Sequence, residues 1–204
     1  MKKTELYKPL AIYFERAIAA AEHLAPERVT ALLPISDFIQ KNEGKASLVF
    51  ICTHNSRRSH FGQIWAQLAA WYFGKDAITT FSGGTEATAF NPRAVAALRR
   101  AGFRIEAAAG DNPLYRISGG DELPVITAFS KIYDDAANPS NGFVAIMTCS
   151  EADHDCPVVQ GARIKIPLHY RDPKEADGTP EESSRYDERC FQIATEMAWI
   201  MKRK

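Results

Sequence analysis

The chain has 204 residues, enough for one well-buried core with additions at its edges. Its 25 basic and 25 acidic side chains balance, so composition gives no general attraction to nucleic acid or to an anionic membrane, and we expect neither as a partner. Four cysteines are too few for a disulfide scaffold, and clustered cysteines in a reduced compartment more often serve chemistry or metal binding.

The N-terminal part of the chain predicts a helical arm over residues 1–44. Apolar residues recur at helical spacing over residues 6–24, and Pro26 opens a second helical segment. Charged side chains interrupt the arm where a signal peptide needs a continuous apolar run, which favours a cytoplasmic protein. The remainder, residues 45–204, forms the main domain.

The main domain begins with an apolar run. Residues 46–52, ASLVFIC, lack the alternation of a half-exposed strand, so they predict a strand buried on both faces. The pattern becomes helical from Ser59. A strand-like segment at residues 77–84 and a helix over about residues 91–101 follow.

Four further segments complete the domain. Residues 114–129 predict an inserted hairpin of two short strands. Strands over residues 142–149 and 162–168 come next, and a helix over about residues 184–202 closes the chain. Strands separated by helices predict an α/β fold with a parallel sheet and right-handed crossovers.

Three chemically reactive side chains follow three of the predicted strands. Cys52 and Cys149 end two strands directly, and Asp172 comes shortly after a third. Ligands of parallel sheets bind outside the carboxyl ends of the strands. We therefore expect these three groups at one edge of the sheet.

The sequence CTHNSRRS after the first strand predicts an anion-binding loop. Five residues separate Cys52 from Arg58, and backbone N–H groups from Thr53 to Ser59 can point inward at a helix N-terminus, where peptide dipoles favour negative charge. Arg58 can hold two oxygens of the anion with its planar fork. The same positive environment favours a nucleophilic Cys52 thiolate, to which Ser59 can donate, and Asn55 suits a left-handed bend. The anion-binding set is Thr53, His54, Asn55, Ser56, Arg57, Arg58 and Ser59.

This loop resembles the phosphate-binding loop of the low-molecular-weight tyrosine phosphatases and of the thioredoxin-coupled arsenate reductases that share their fold. The resemblance extends from about residue 46 to the C-terminus, with supporting matches in FSGGTEATAFNPRAVAALRRAGF, in FSK at residues 129–131 and in RDP at residues 171–173. It implies a phosphatase-like catalytic domain, a three-layer sandwich with a four-stranded parallel sheet between helices. The arm and residues 107–126 lie outside it.

The other cysteines distinguish two functions within this resemblance. A phosphatase needs a nucleophile, a cradle and a general acid, which Cys52, the loop with Arg58, and Asp172 would supply. Reduction of arsenate needs further thiols, and TCSEADHDCP, with Cys149 and Cys156, resembles the redox segment of the reductases. The resemblance implies a disulfide between Cys52 and Cys149 that passes to Cys149 and Cys156 for a thioredoxin-like reductant, with no metal or nucleotide cofactor.

Other interpretations of the same residues stay open. The chain could be a phosphatase that hydrolyses phosphotyrosine or small aryl phosphates through a phosphocysteine, or an inactive anion-binding regulatory module. The segment CSEADHDC could hold a metal with His154, Asp153 or His169, although its spacing differs from that of zinc knuckles. Its two cysteines could also be structural, and Asp172 could belong to an ordinary Asp-Pro turn.

Some positions near the loop depart from the reductases. His54 stands where they usually have glycine, and Arg57 stands in place of a second loop cysteine. We expect Arg57 to face solvent. Gln63 replaces the usual carboxylate beside Asn55 and Ser82, which weakens the case for the potassium ion that some members hold there.

The spacing of Cys149 and Cys156 constrains the segment between them. Continuous helix would separate the two by about 10 Å along its axis, whereas a disulfide needs Cα atoms within about 7 Å. We therefore expect residues 150–155 to form a loop or to rearrange on oxidation. Cys190, in the closing helix, is expected to be a core or boundary thiol.

Overall fold

The structure, a computed structural model, describes residues 5–203, so the ends of the predicted arm and of the main domain lie outside the described residues. The helices are α1 Lys8–Ala20, α2 Pro26–Lys41, α3 Arg58–Tyr72, α4 Pro92–Ala101, α5 Ser150–Asp155 and α6 Glu182–Lys202, with short 3-10 helices at Ala21–His23 and Pro173–Ala176. The strands are β1 Ala46–Cys52, β2 Ile78–Gly84, β3 Arg104–Ala107, β4 Tyr115–Ser118, β5 Ile126–Ala128, β6 Phe143–Met147 and β7 Ala162–Pro167.

The central sheet has four parallel strands in the order β2-β1-β6-β7, which confirms the predicted fold class. Along β1, Leu48 and Phe50 face a large core shared with α1, α2, α3 and α6, whereas Val49 and Ile51 face a smaller core on the other side that includes part of α5. β1 is thus buried on both faces, as its continuous apolar run predicts. Ile51 pairs with Met147, so β1 and β6 end side by side.

The arm packs against the main domain on the large-core side. Leu10, Phe14, Leu32 and Ile35 are fully buried there, and the ring of Phe14 stacks on Trp65 of α3 at 5.9 Å. The arm therefore completes the core behind the sheet. The domain boundary at residue 44 stays a prediction.

A second, antiparallel sheet contains the predicted hairpin. β4 pairs with β5, and β3, which the sequence did not predict, pairs with the other edge of β4. β3 has four residues, of which only Ile105 is buried. So short and polar a strand has no distinctive pattern of its own and depends on β4 for pairing. Within residues 5–203, no helix has the length and apolar character needed to cross a bilayer.

Candidate active site

The loop between β1 and α3 carries the predicted nucleophile. Cys52 is the last residue of β1, and Arg58 is the first residue of α3. Asn55 turns the chain between them with a φ of 44°, which confirms the left-handed bend predicted for it. Cys52 and Asn55 are both buried, so the loop is a packed part of the protein.

Two hydrogen bonds lead from Asn55 to the Cys52 sulfur. Asn55 Nδ2 donates to Ser59 Oγ at 2.8 Å, and Ser59 Oγ lies 3.1 Å from Cys52 Sγ. Because an amide nitrogen can only donate, Ser59 Oγ accepts that bond and keeps its own proton for the sulfur. A hydrogen bond donated in this way stabilises a thiolate.

The loop's carbonyl groups are bonded to groups outside it. The carbonyls of Cys52, Thr53, His54 and Ser56 accept, respectively, from Thr85 N, Glu86 N, Ser130 Oγ and Asn91 N. Across the described residues, the backbone N–H groups of residues 54–59 make no hydrogen bond to another protein group. These amides therefore remain available to a single anion at the start of α3.

Gly84 and Lys131 fix the back of the loop. A Cβ atom at Gly84 would lie 2.5 Å from the Thr53 carbonyl oxygen and 2.7 Å from Asn55 N, too close for any side chain. The backbone N–H of Lys131 donates to Asn55 Oδ1 at 3.0 Å. The loop is thus built against the end of β2 and the segment after β5.

Arg58 joins the loop to Asp172. Its Nη1 donates to the Tyr170 carbonyl at 3.0 Å, and its Nη2 lies 2.8 Å from Asp172 Oδ2. Its Nε is buried and has no partner among the described residues, so this part of the fork is left for an anion. Asp172 Oδ1 accepts from Lys174 N at 3.0 Å, which fixes the carboxylate at the start of a 3-10 helix.

Arg57 does not face solvent, so that expectation is wrong. Its side chain is 12% exposed, and its Nε donates to the Tyr186 hydroxyl at 2.8 Å. The guanidinium also lies 3.7 Å from Asp177 Oδ2 and 4.0 Å from Asp172 Oδ1. Burial, as the largest cause, raises the pKa of Tyr186 to about 12, so this hydroxyl stays neutral beside the cation. Arg57 therefore packs into the acidic segment that carries Asp172.

Cys149 lies beside the loop. It follows β6, and its Sγ is 3.5 Å from the hydroxyl of Thr53. The residue is fully buried, and burial raises the pKa of its thiol, partly opposed by Thr53 and by the charge of Arg58. The structure therefore brings together Cys52, Cys149 and Asp172, the three groups expected at one edge of the sheet, with Arg58 between the loop and Asp172.

The segment between Cys149 and Cys156 is a helix, so the expected loop is wrong and only rearrangement on oxidation stays as a prediction. α5 occupies Ser150–Asp155, with the two cysteines at its ends. All four cysteines are free, and Cys156 is half-buried. A continuous turn of helix holds the two sulfurs apart.

A small polar cluster attaches α5 to β7. Asp153 lies 2.8 Å from Lys165 Nζ and 2.9 Å from His169 Nε2. Lys165 Nζ also donates to the carbonyls of Asp153 and Cys156, at 2.8 and 3.0 Å. His154, by contrast, is exposed, and its Nδ1 lies 3.1 Å from Asp155 Oδ1. Among residues 5–203, no three His, Cys, Asp or Glu side chains form a cluster suited to a metal ion.

Behind the loop, polar side chains bond to one another. Ser82 Oγ donates to Gln63 Oε1 at 2.7 Å and lies 3.2 Å from His60 Nδ1. Burial, followed by the charge of Lys131, holds the pKa of His60 well below its usual range, so the imidazole is neutral. Sequence reasoning gave His60 no role, because a buried histidine on a helix has no pattern that separates it from the core.

Cys190 is a core thiol, as expected. It is fully buried on α6 and accepts a hydrogen bond from Trp65 Nε1 at 3.3 Å. Burial raises the pKa of this thiol to about 12.

The four-stranded parallel sheet and the loop at its edge define a low-molecular-weight phosphatase fold. The structure is similar to a low-molecular-weight phosphotyrosine phosphatase from Vibrio cholerae, with a TM-score of 0.52 and 14% identity over 77% of this chain and 95% of that one. It is also similar to an arsenate reductase from Archaeoglobus fulgidus, with a TM-score of 0.50 and 14% identity over 76% of this chain and 99% of the other.

Curated relatives define the family more narrowly. The chain is 30% identical to an arsenate reductase of Bacillus licheniformis over 71% of its own length and 86% of the relative's. It is 28% identical to an arsenate reductase of Bacillus subtilis over 70% of this chain and 84% of that protein. No family model matches the chain. The chain belongs to the family of arsenate reductases with the low-molecular-weight phosphatase fold.

Proposed function

We propose that the protein reduces arsenate to arsenite and passes the resulting disulfide to a thioredoxin-like reductant. The observation that carries the proposal is Cys149, whose sulfur lies 3.5 Å from the Thr53 hydroxyl of the anion loop, with Cys156 at the far end of the same short helix. Hydrolysis of a phosphate ester uses neither thiol. The relatives named arsenate reductase support the choice of substrate.

The first step forms a bond between sulfur and arsenic. The Cys52 thiolate attacks arsenic while the loop amides and Arg58 hold the arsenate oxygens. One oxygen leaves as water after protonation by Asp172, whose carboxyl group lies 2.8 Å from Arg58, or by solvent. Arsenic is still in its oxidised state in the adduct.

The second step reduces arsenic and forms a disulfide, and the third step exchanges that disulfide. The Cys149 thiolate attacks the sulfur of Cys52; the new disulfide forms as the sulfur–arsenic bond breaks, and the electron pair of that bond reduces arsenic to arsenite. Cys156 then attacks Cys149, which regenerates the Cys52 thiol and leaves a disulfide between Cys149 and Cys156. A thioredoxin-like dithiol reduces this disulfide, which fits a reducing cytoplasm.

The third step requires α5 to unwind. The two cysteines flank a helix of six residues, whereas a disulfide needs Cα atoms within about 7 Å. We expect hydrogen exchange of residues 149–157 to be faster in the oxidised protein than in the reduced one. Identical exchange in the two states would argue against the relay.

Three proteins test the function: the parent, Cys52→Ser, and the double variant Cys149→Ser with Cys156→Ser. Each is assayed for thioredoxin-driven arsenate reduction and for hydrolysis of an aryl phosphate. Cys52→Ser should lose both reactions. The double variant should lose reduction and keep hydrolysis, because the loop and Asp172 are intact. Reduction that survives in the double variant would overturn the proposal.

A phosphatase is the second candidate, favoured by the position of Asp172 against Arg58. A loop nucleophile, a cradle and a carboxyl group at its mouth are sufficient for hydrolysis of an aryl phosphate. Hydrolysis without arsenate reduction in the parent would select this function. Loss of both reactions in the parent would indicate a binding module.

A further inference from the structure

We propose that Arg28 of the N-terminal arm is a positioning residue for the anion-binding Arg58. Arg28 lies in the first turn of α2, in the N-terminal arm. The inference rests on the anion site of the proposed function. It gives the arm a part in the reaction in addition to its part in the core.

Arg28 binds a carboxylate that is buried in α6. Its Nε and Nη2 donate to the two oxygens of Glu196 at 2.9 and 2.6 Å, a paired contact in which the guanidinium fork matches the carboxylate. Glu196 is fully buried, while the Arg28 side chain is 27% exposed. A buried carboxylate depends strongly on its cation, so Arg28 fixes the position of Glu196.

The same two residues hold the segment that leads to Asp172. The Tyr170 hydroxyl donates to Glu196 Oε2 at 2.8 Å, and the Arg28 guanidinium lies 5.0 Å from the centre of the Tyr170 ring. Arg28 Nη1 donates to the carbonyl of His169 at 3.1 Å. The arm thus holds residue 169 by its backbone and residue 170 by its side chain.

Tyr170 completes the connection to the anion site. Its carbonyl accepts from Arg58 Nη1 at 3.0 Å, and Arg58 Nη2 reaches Asp172, two residues further along the same segment. On the opposite side, Tyr170 N donates to the carbonyl of Thr148. A shift of Tyr170 therefore moves the carbonyl that orients the Arg58 fork and the backbone that carries Asp172.

The test removes the arm contact without leaving a lone buried charge. The double variant Arg28→Met with Glu196→Gln loses both charges and keeps an amide oxygen for the Tyr170 hydroxyl. Its control, Glu22→Gln with Lys202→Met, removes another ion pair between the arm and α6, which measures 3.0 Å and lies away from Tyr170. Arg28→Lys, which keeps the charge but not the fork, serves as the conservative variant.

Two measurements separate positioning from simple destabilisation. The first is protection of Cys52 from alkylation by inorganic phosphate, which reports the anion site without turnover. The second is kcat and KM for aryl phosphate hydrolysis, measured well below each variant's thermal midpoint. We expect the Arg28 and Glu196 double variant to need about tenfold more phosphate for protection and to lose about tenfold in kcat/KM. The Glu22 and Lys202 control should match the parent, and Arg28→Lys should fall between.

Each outcome decides the inference. Equal phosphate protection in the parent and in the Arg28 and Glu196 double variant overturns it while the proposed function stands. If that variant does not fold, Arg28→Lys decides in the same way, since it keeps the buried pair charged. Absence of any phosphate protection in the parent overturns the proposed function itself and leaves no anion site for the arm to position.

Discussion

The anion-binding loop, residues 52–59, and the segment from Cys149 to Cys156, called the relay segment after its proposed role, follow neighbouring strands. The two segments differ in how firmly their surroundings hold them. In the loop after β1, Cys52, Asn55 and Ser56 are buried, several carbonyls are bonded to segments that follow β2, and Gly84 leaves no space for a side chain against the loop. The relay segment after β6 is a six-residue helix without a side-chain N-cap, in which Ala152 alone is buried and Asp153 pairs with Lys165. Val158, just beyond Cys156, is 81% exposed.

This difference matches what the proposed function requires of each region. Dipoles aimed at a developing charge stabilise it only if they are already in position, so a catalytic anion loop gains from rigidity. Disulfide exchange instead requires sulfurs to approach within bonding distance, so a resolving thiol must move. A helix of six residues, five of which are not buried, lowers the free-energy cost of such movement.

The largest effect is expected from the rigid region. Arg58→Lys keeps a positive charge but loses the fork that joins Tyr170, Asp172 and the anion. We expect kcat/KM to fall about 10²- to 10³-fold for arsenate reduction and aryl phosphate hydrolysis alike. Chemical oxidation of Cys149 and Cys156 should proceed at the parent rate. If Arg58→Lys hydrolysed the aryl phosphate at the parent rate, Arg58 would have no role in binding the anion.

The next largest effect is expected in the pH dependence of arsenite release, which involves Cys149 of the relay segment. Because burial raises the pKa of Cys149, the thiol form dominates at neutral pH, and the reactive thiolate increases about tenfold per pH unit until the pH passes that pKa. Single-turnover release of arsenite, followed by rapid quench between about pH 6 and pH 9, should rise accordingly. Aryl phosphate hydrolysis, which bypasses Cys149, provides the control. A flat profile for arsenite release would show that another step limits it.

Removal of the side chain that shapes the loop should affect stability and activity together. Asn55→Ala places alanine at a φ of 44° and leaves the Lys131 N–H without an acceptor. We expect the free energy of unfolding to fall by about 1–3 kcal/mol, measured by urea denaturation, with a parallel loss of hydrolysis. Asn138→Ala is the matched control, because Asn138 is also buried and bonds to two carbonyls away from the loop. Equal losses of hydrolysis in both variants would contradict a special role for Asn55.

The smallest effect is expected at Asp153, which attaches α5 to β7. Asp153→Asn weakens the contacts with Lys165 and His169, which are partly exposed. Such pairs contribute about 0.2–1 kcal/mol each, so loss of both should accelerate formation of the disulfide between Cys149 and Cys156 by about two- to thirtyfold. Asp187→Asn, which breaks an ion pair with Arg100 elsewhere, should leave this rate unchanged. A slower relay in Asp153→Asn would mean that the cluster assists the exchange.

The parts of the structure that the sequence predicts well are those with local signals. β1, the loop and α3 follow from a continuous apolar run, a cysteine and arginine at fixed spacing, and a helical pattern, all within 27 residues of chain. The left-handed bend at Asn55 belongs to the same group, because asparagine tolerates that conformation better than most residues.

The errors have equally physical reasons. Arg57 is anchored by Tyr186, 129 positions away, so nothing adjacent in the sequence indicates its partner. The bond between Arg28 and Glu196 spans 168 positions. α5 is a different case: Glu151 and Asp153 in its first turn favour a helix, whereas the short distance between Cys149 and Cys156 that predicts a loop is needed only in the oxidised protein.

The environment of Cys190 has a consequence for the accuracy of disulfide exchange in the proposed relay. A fourth sulfur within the same small domain could divert a disulfide into a dead-end pairing. Because Cys190 is fully buried in α6 beside Trp65 and burial raises its pKa to about 12, little of its thiol is ionised near neutral pH. We therefore expect mixed-disulfide trapping with the natural sequence to report Cys52, Cys149 and Cys156 rather than Cys190.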